Sequence, residues 1–191
     1  VTAYSSIKRL GPKPGSWLVI SGAAGALGHL GIQYAKSLGL KVVAIDGGSP
    51  EKEALCREVG ADVYIDFMKT ETGVVETVRT VTGGGADYVL ALSPHQTAYN
   101  DAGEYARFGA RIMAVGIGSC HMPLRPLLQK ALTVYSNQTG TKDDMQEALK
   151  MTVDGKVKCR VEVMKLENLN LALDRVKGGR VLGKLVVDLR R

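Results

Sequence analysis

Residues Trp17-Leu18-Val19-Ile20-Ser21-Gly22-Ala23-Ala24-Gly25-Ala26-Leu27-Gly28 run from an apolar stretch straight into a turn made almost wholly of glycine and alanine. A short apolar run of this kind suits a strand buried on both faces, as in a parallel sheet. Beyond the turn, Leu27, Leu30 or Gly31, Tyr34 and Leu38 fall near one face of a helix, and Gly39 stands where a helix ends on a left-handed residue. Strand, turn and helix in this order leave backbone N–H groups free at the positive end of a helix dipole, a place suited to phosphate. Against the G-x-G-x-x-G pattern, Ala23 replaces the first glycine, Gly25 is the position of close approach, and Gly28 lets helix pack on strand. Such a turn alone could be tight packing; the next acid decides. Asp46 ends the following strand-like run, Lys41-Val42-Val43-Ala44-Ile45, and lies 21 residues beyond Gly25 and 18 beyond Gly28. A carboxylate there accepts hydrogen bonds from the adenosine ribose hydroxyls and repels a 2′-phosphate, so the pattern predicts a dinucleotide site that prefers NAD to NADP.

Outward from this unit the alternation continues. Val63-Tyr64-Ile65, Tyr88-Val89-Leu90-Ala91-Leu92, Arg111-Ile112-Met113-Ala114-Val115 and Leu132-Thr133-Val134-Tyr135 read as further strands. Helices are expected after Pro50, over 72–80, after Pro94 and over 141–153, with Thr141 an N-cap and Asp143 and Asp144 in the first turn. Right-handed crossovers then give an α/β fold: a doubly wound, six-stranded parallel sheet of the Rossmann type, order 3-2-1-4-5-6, with helices on both faces. The last stretch reads as strand (161–164), helix (166–176) and strand (182–187), a small C-terminal helix–strand appendage. The division expected is a nucleotide-binding domain over 1–160 and a C-terminal segment over 161–191.

Composition narrows the partners. The chain has 191 residues and a net charge of +6, and from Asp154 onward ten Lys/Arg face five Asp/Glu, so five of the six net charges lie there. These basic residues interleave with Val and Leu rather than clustering, which reads as a solvated face and not as a nucleic-acid surface. Residues 14–35 carry no charge, but five glycines, His29 and Gln33 interrupt them, which excludes a membrane span. Three scattered cysteines (Cys56, Cys120 and Cys159) argue against a disulfide framework and fit a reducing, cytoplasmic setting. No secretory signal is visible, and a first residue of Val reads as a fragment or processed chain. The pair Tyr4 and Lys8 matches the Tyr-x-x-x-Lys of short-chain dehydrogenases by letters only, because it precedes the first strand.

Ser21-Gly22-Ala23-Ala24-Gly25-Ala26-Leu27-Gly28, Gln33-Tyr34-Ala35-Lys36, Ile45-Asp46-Gly47-Gly48 and Tyr64-Ile65-Asp66-Phe67 together resemble the yeast-type zinc alcohol dehydrogenases of the medium-chain dehydrogenase/reductase superfamily. The resemblance extends through Ala114-Val115-Gly116, Gly140-Thr141-Lys142 and Gly183-Lys184-Leu185-Val186-Val187-Asp188. It implies that Gly22, Gly25, Ala26, Leu27 and Gly28 form a pyrophosphate turn and that Asp46 holds the ribose. It further implies an adenosine-side contact from Lys52, cleft positions for Ser93 and Gly116, and Lys142 against the pyrophosphate, where the family often has Arg. A Lys there pairs with phosphate, though not bidentately.

In such enzymes a zinc held by two Cys and one His polarises the alcohol, and hydride passes to the nicotinamide. No Cys-x-x-Cys occurs here, Cys120-His121 are adjacent, a spacing poorly suited to chelating one metal, and His29, His95 and His121 read as ordinary residues. Val1-Thr2-Ala3-Tyr4 resembles a segment that follows the last catalytic zinc cysteine. The resemblance therefore implies the NAD-binding part of an enzyme interconverting primary alcohols and aldehydes, inactive by itself, whose zinc belongs to the full-length enzyme. Its last strand and helix normally return to the catalytic domain, leaving Leu166, Leu169, Leu173, Leu185 and Val187 short of partners. Two alternatives stand beside this: a zinc-free quinone or enoyl reductase of the same superfamily, and a non-enzymatic NAD-sensing module. Relatives pair through the sheet edge near the sixth strand, here Leu132-Thr133-Val134-Tyr135, so a homo-oligomer is expected.

Overall fold

A computed structural model describes residues 1–118 and 121–189 of the chain. Cys120, and with it the Cys120-His121 pair, lies outside the described residues. The elements run α1 (Thr2–Arg9), β1 (Trp17–Ser21), α2 (Gly28–Ser37), β2 (Lys41–Asp46), α3 (Pro50–Glu58), β3 (Val63–Asp66), α4 (Val74–Thr82), β4 (Ala86–Ala91) and α5 (Gln96–Tyr105). They continue with β5 (Ala106–Ala114), α6 (Leu124–Gln129), β6 (Thr133–Ser136), α7 (Lys142–Val153), β7 (Val161–Lys165), a single 3-10 turn, α8 (Leu169–Lys177) and β8 (Lys184–Asp188). Six strands pair in the order β3-β2-β1-β4-β5-β6, all parallel, as the alternation implies.

β1 lies at the centre, with Ile20 opposite Ala44 of β2 on one side and Leu90 of β4 on the other. Its side chains alternate between two cores. Leu18 and Ile20 pack with Ile7, Leu10, Ile32 and Tyr34 of the α1–α2 layer; Val19 packs with Val78, Ala102 and Tyr105 of the α4–α5 layer. Both faces of the strand are buried, which is why its sequence is a continuous apolar run rather than an alternating one. At α7, Thr141 caps as expected: its hydroxyl accepts from the Asp144 N–H at 3.1 Å, and the Asp144 carboxylate accepts from the Thr141 N–H at 2.9 Å.

Two helices were not anticipated. α1 is amphipathic, but Ser5 and Ser6 share its buried face with Ala3, Tyr4 and Ile7. Both serine hydroxyls accept from the Asn137 side chain, at 2.9 and 3.0 Å, so polar letters sit where an apolar stripe would be sought. α6 is short and carries Pro126 in its interior. α4 begins at Val74 rather than Thr72, because Gly73, at φ 82°, turns the chain into it. The Tyr4–Lys8 pair belongs to α1 and faces α7: the Tyr4 hydroxyl donates to Glu147 at 2.7 Å, and the Lys8 ammonium bridges Asp144 and Glu147.

The C-terminal unit is a two-stranded parallel sheet, β7 with β8, joined through α8. It is tied to α2 and the preceding turn by backbone. The Gly183 N–H donates to Ala24 O at 3.0 Å, and Gln33 exchanges two hydrogen bonds with the Lys158 backbone, at 2.9 and 2.8 Å. Leu166, Leu169 and Leu173 are each more than two-fifths exposed, whereas Leu185 and Val187 are partly covered. No helix among the described residues is long and apolar enough to cross a membrane.

Candidate cofactor-binding cleft

A cleft of about 990 Å³ opens along the carboxyl ends of β1 to β4 and runs beneath the C-terminal unit. Open parallel sheets place their ligands here, where strands on either side of the centre cross over in opposite directions. Of the residues singled out from sequence, Gly22, Gly25, Ala26, Asp46, Lys52 and Ser93 line it.

The turn is held from within. Gly22 has φ 72°, a left-handed conformation that favours glycine, and its N–H donates to Ile45 O at 3.0 Å. At Gly28 a Cβ would fall 2.3 Å from Gly22 O and 2.4 Å from Ala23 O, both backbone atoms, so no side chain fits. At Gly25 a Cβ would make only one ordinary contact, with Gly22 O at 3.4 Å. The space beside Gly25 is therefore open toward the cleft rather than filled by the protein. α2 starts at this turn with no side-chain cap and no acidic residue in its first turn, which leaves its positive end to an anion. The Ser21 hydroxyl, at the cleft wall, is buried with no hydrogen-bond partner among the described residues. An open space at Gly25, an uncapped helix end and an unsatisfied hydroxyl together fit the pyrophosphate of a dinucleotide.

Asp46 does two jobs. One carboxylate oxygen accepts from the Ala24 N–H at 2.9 Å, clamping the turn to the end of β2; the other accepts from the Gly47 N–H and the Lys52 ammonium, each at 2.9 Å. Lys52 also donates to Gly47 O at 2.9 Å, which fixes the ammonium beside the carboxylate at the cleft. Leu27 and Gly28 sit behind this surface at the start of α2. Gly116 is close-packed on the next loop, where a Cβ would lie 2.4 Å from Ser93 O. Lys142 does not line the cleft; it is exposed on the first turn of α7, where that helix packs toward α1.

His29, read from sequence as an ordinary residue, is wholly buried and joins the turn to the C-terminal unit. Its Nδ1–H donates to Gly25 O at 2.8 Å, and its Nε2 accepts from the Arg160 N–H at 3.2 Å. That pair of bonds defines one neutral tautomer. Burial, reinforced by the positive charges of Lys184 and Arg160, lowers its pKa. Further lining residues include Phe67, from the Tyr64-Ile65-Asp66-Phe67 stretch, Val74 at the start of α4, and Asp101 and Tyr105 of α5, the last two beyond any motif read in the sequence. Among the described residues no group of three His, Cys, Asp or Glu side chains is arranged to hold a metal.

This sheet order with this turn at its centre defines a Rossmann-type nucleotide-binding domain. Residues 26–154 match the family described as zinc-binding dehydrogenase, and the chain belongs to that family, a group of oxidoreductases in the medium-chain dehydrogenase/reductase superfamily. Alcohol dehydrogenase 2 of Caenorhabditis elegans is 36% identical over 191 residues, covering 98% of this chain and 54% of that protein. The alcohol dehydrogenase of Geobacillus stearothermophilus is 34% identical, covering 100% of this chain and 55% of that one. The chain thus spans about half the length of the curated relatives it matches. The crystal structure of the Aeropyrum pernix alcohol dehydrogenase superposes with a TM-score of 0.89 at 27% identity, over 97% of this chain and 54% of that one. A Thermus thermophilus quinone oxidoreductase, solved also as its NADPH complex, gives 0.84 at 26% identity, over 98% and 62%.

Proposed function

We propose that this chain binds NAD(H) and serves as the coenzyme-binding part of an alcohol dehydrogenase interconverting primary alcohols and aldehydes. The observation that carries the reading is the Asp46 carboxylate at the cleft, 2.9 Å from the Ala24 N–H of the glycine turn. It brings the ribose acceptor and the phosphate-binding turn into one rigid unit. When bound, the nicotinamide accepts or gives up the hydride. The chain's own residues bind and orient: Gly22, Gly25 and Ala26 offer backbone to the pyrophosphate, and the end of α2 adds its dipole. Asp46 takes the ribose hydroxyls, and Lys52 tempers its charge. Ser93 and Gly116 shape the far side, and Lys142, outside the lining here, is proposed as a further phosphate contact. The chain alone is proposed to bind without turnover, in a cytoplasmic, reducing setting.

Calorimetric titration with NADH and NADPH tests this. NADH is expected to bind in the micromolar-to-millimolar range, with NADPH at least about tenfold weaker because a 2′-phosphate meets Asp46. An Asp46→Asn variant, which can keep the Ala24 contact, should narrow that gap. Equal binding of both cofactors would favour the zinc-free quinone reductase reading, for which the likeness to the Thermus thermophilus enzyme speaks. Binding of neither would remove the coenzyme reading. An NAD-sensing module would bind yet show no turnover in any longer form of the protein.

The same reading includes self-association. Among the described residues β6 is an edge strand hydrogen-bonded only to β5, with Val134 41% exposed. An open edge of this kind is a template for a second copy. Light scattering is expected to give a dimer, and Val134→Lys to give a monomer; a wild-type monomer at high concentration would count against it.

A further inference from the structure

The cleft does more than hold sugar and phosphate. Its wall on the α4–α5 side combines apolar surface from Ile45, Phe67 and Val74 with one polar face of a helix. Thr97, Asp101 and Tyr105 stand at i, i+4 and i+8 on α5, so they share a face, and all three line the cleft. Two of them lack partners. The Tyr105 hydroxyl belongs to a side chain only 1% exposed and has no hydrogen bond among the described residues. Asp101 is half-buried and likewise makes no hydrogen bond or ion pair among them. Four other carboxylates held close to the protein, Asp46, Asp66, Asp87 and Asp144, each accept from at least one donor.

Asp101 is thus a carboxylate at a cavity wall with nothing to accept from among the described residues. Burial, and the like charge of Glu104 one turn away, hold its carboxyl above the ordinary range, and its own negative charge bears on Tyr105. What would satisfy it is an N–H donor arriving with the ligand. If Asp46 takes the ribose, the base attached to that ribose leaves the glycine turn behind and meets the apolar side of Ile45, Phe67 and Val74. A flat heteroaromatic ring suits that surface, and α5 then faces its edge.

We infer that Asp101 reads the base: its carboxylate accepts a hydrogen bond from the exocyclic amine of adenine, making it a specificity-determining residue of the cleft. The inference rests on the coenzyme reading above. A charge-assisted bond of this kind discriminates strongly against a ligand that cannot donate, because the carboxylate is then left without a partner. Thr97 and Tyr105 border the same face and restrict how the ring can turn.

The test compares NAD with its ethenoadenine analogue, in which both amine donors are lost to a fused ring, by calorimetry on the full 191-residue chain. The wild type is expected to bind NAD about tenfold more tightly than the analogue. Asp101→Ala is expected to cut that ratio to about twofold, the remainder reflecting the larger ring. Asp101→Asn, which keeps the shape and one acceptor oxygen, should fall between them and carries the test if the alanine variant does not fold. An unchanged ratio in a folded variant that still binds NAD overturns the role of Asp101 and leaves the coenzyme reading standing. Failure of the wild type to bind NAD at all overturns both.

Discussion

Replacing Gly28 with alanine is expected to destabilise the whole chain by about 3 kcal/mol, which lowers the melting temperature by roughly 6–12 °C for a domain of this size. The added Cβ would meet Gly22 O at 2.3 Å, Ala23 O at 2.4 Å and Ala23 C at 2.6 Å. All three are backbone atoms of the turn, and that turn is pinned by hydrogen bonds from Gly22 and Ala23 to Ile45 O. Relief would require β1, α2 or both to move. Gly25→Ala is the contrast, because its nearest neighbour would lie at 3.4 Å and its backbone is not left-handed. Its melting temperature is expected to stay within about 2 °C of wild type, while NADH binding weakens at least about tenfold, the new methyl standing where phosphate approaches. Thermal melts and titrations of both variants separate the two roles. A Gly28→Ala protein that melts with the wild type would show that the turn has another shape.

His29→Phe is expected to cost about 2 kcal/mol, from two lost hydrogen bonds that leave Gly25 O and the Arg160 N–H without their partners. The change should also be visible in the pH dependence of stability. An unfolded histidine titrates near 6.5, and here burial, Lys184 and Arg160 lower the folded value, against a smaller opposing pull from Gly25 O. Below about pH 6.5 the unfolded chain therefore takes up a proton that the folded chain resists. The stability contributed by neutral His29 is complete above that pH and declines as the solution is acidified toward the folded pKa. Melting curves between about pH 7.5 and 5 should show a wild-type decline with a component that His29→Phe lacks. Parallel curves for the two proteins would mean that His29 does not titrate with folding.

The sheet order was legible because parallel strands covered on both faces must be apolar runs, and six such runs alternate with helical spacing along this chain. The turn was legible for a different reason: the packing of α2 against β1 tolerates no side chain at Gly28, and glycine at φ 72° marks Gly22. Asp46 announced itself by its place at the end of β2. Other features follow no such pattern. The buried face of α1 carries Ser5 and Ser6, satisfied by Asn137 from more than 130 residues away, so no local window shows that they are inside. Thr97, Asp101 and Tyr105 belong to no motif, because the cavity they face is made by other elements. His29 reads as a lone histidine until Arg160 is brought beside it. Lys142, placed by resemblance, lies outside the lining in this chain.

The hydrogen bonds from Gly183 to Ala24 and from Arg160 to His29 have a thermodynamic corollary. Were the C-terminal unit, with exposed Leu169, Leu171 and Leu173 and held partly through those contacts, to come away, the chain would have a docked state and an undocked one. Only the docked form carries the full cleft, since Val176, Gly179, Val181 and Leu185 supply part of its wall. Apparent affinity is then the intrinsic affinity scaled by the docked fraction, and anything that holds the unit down tightens ligand binding without touching the ligand.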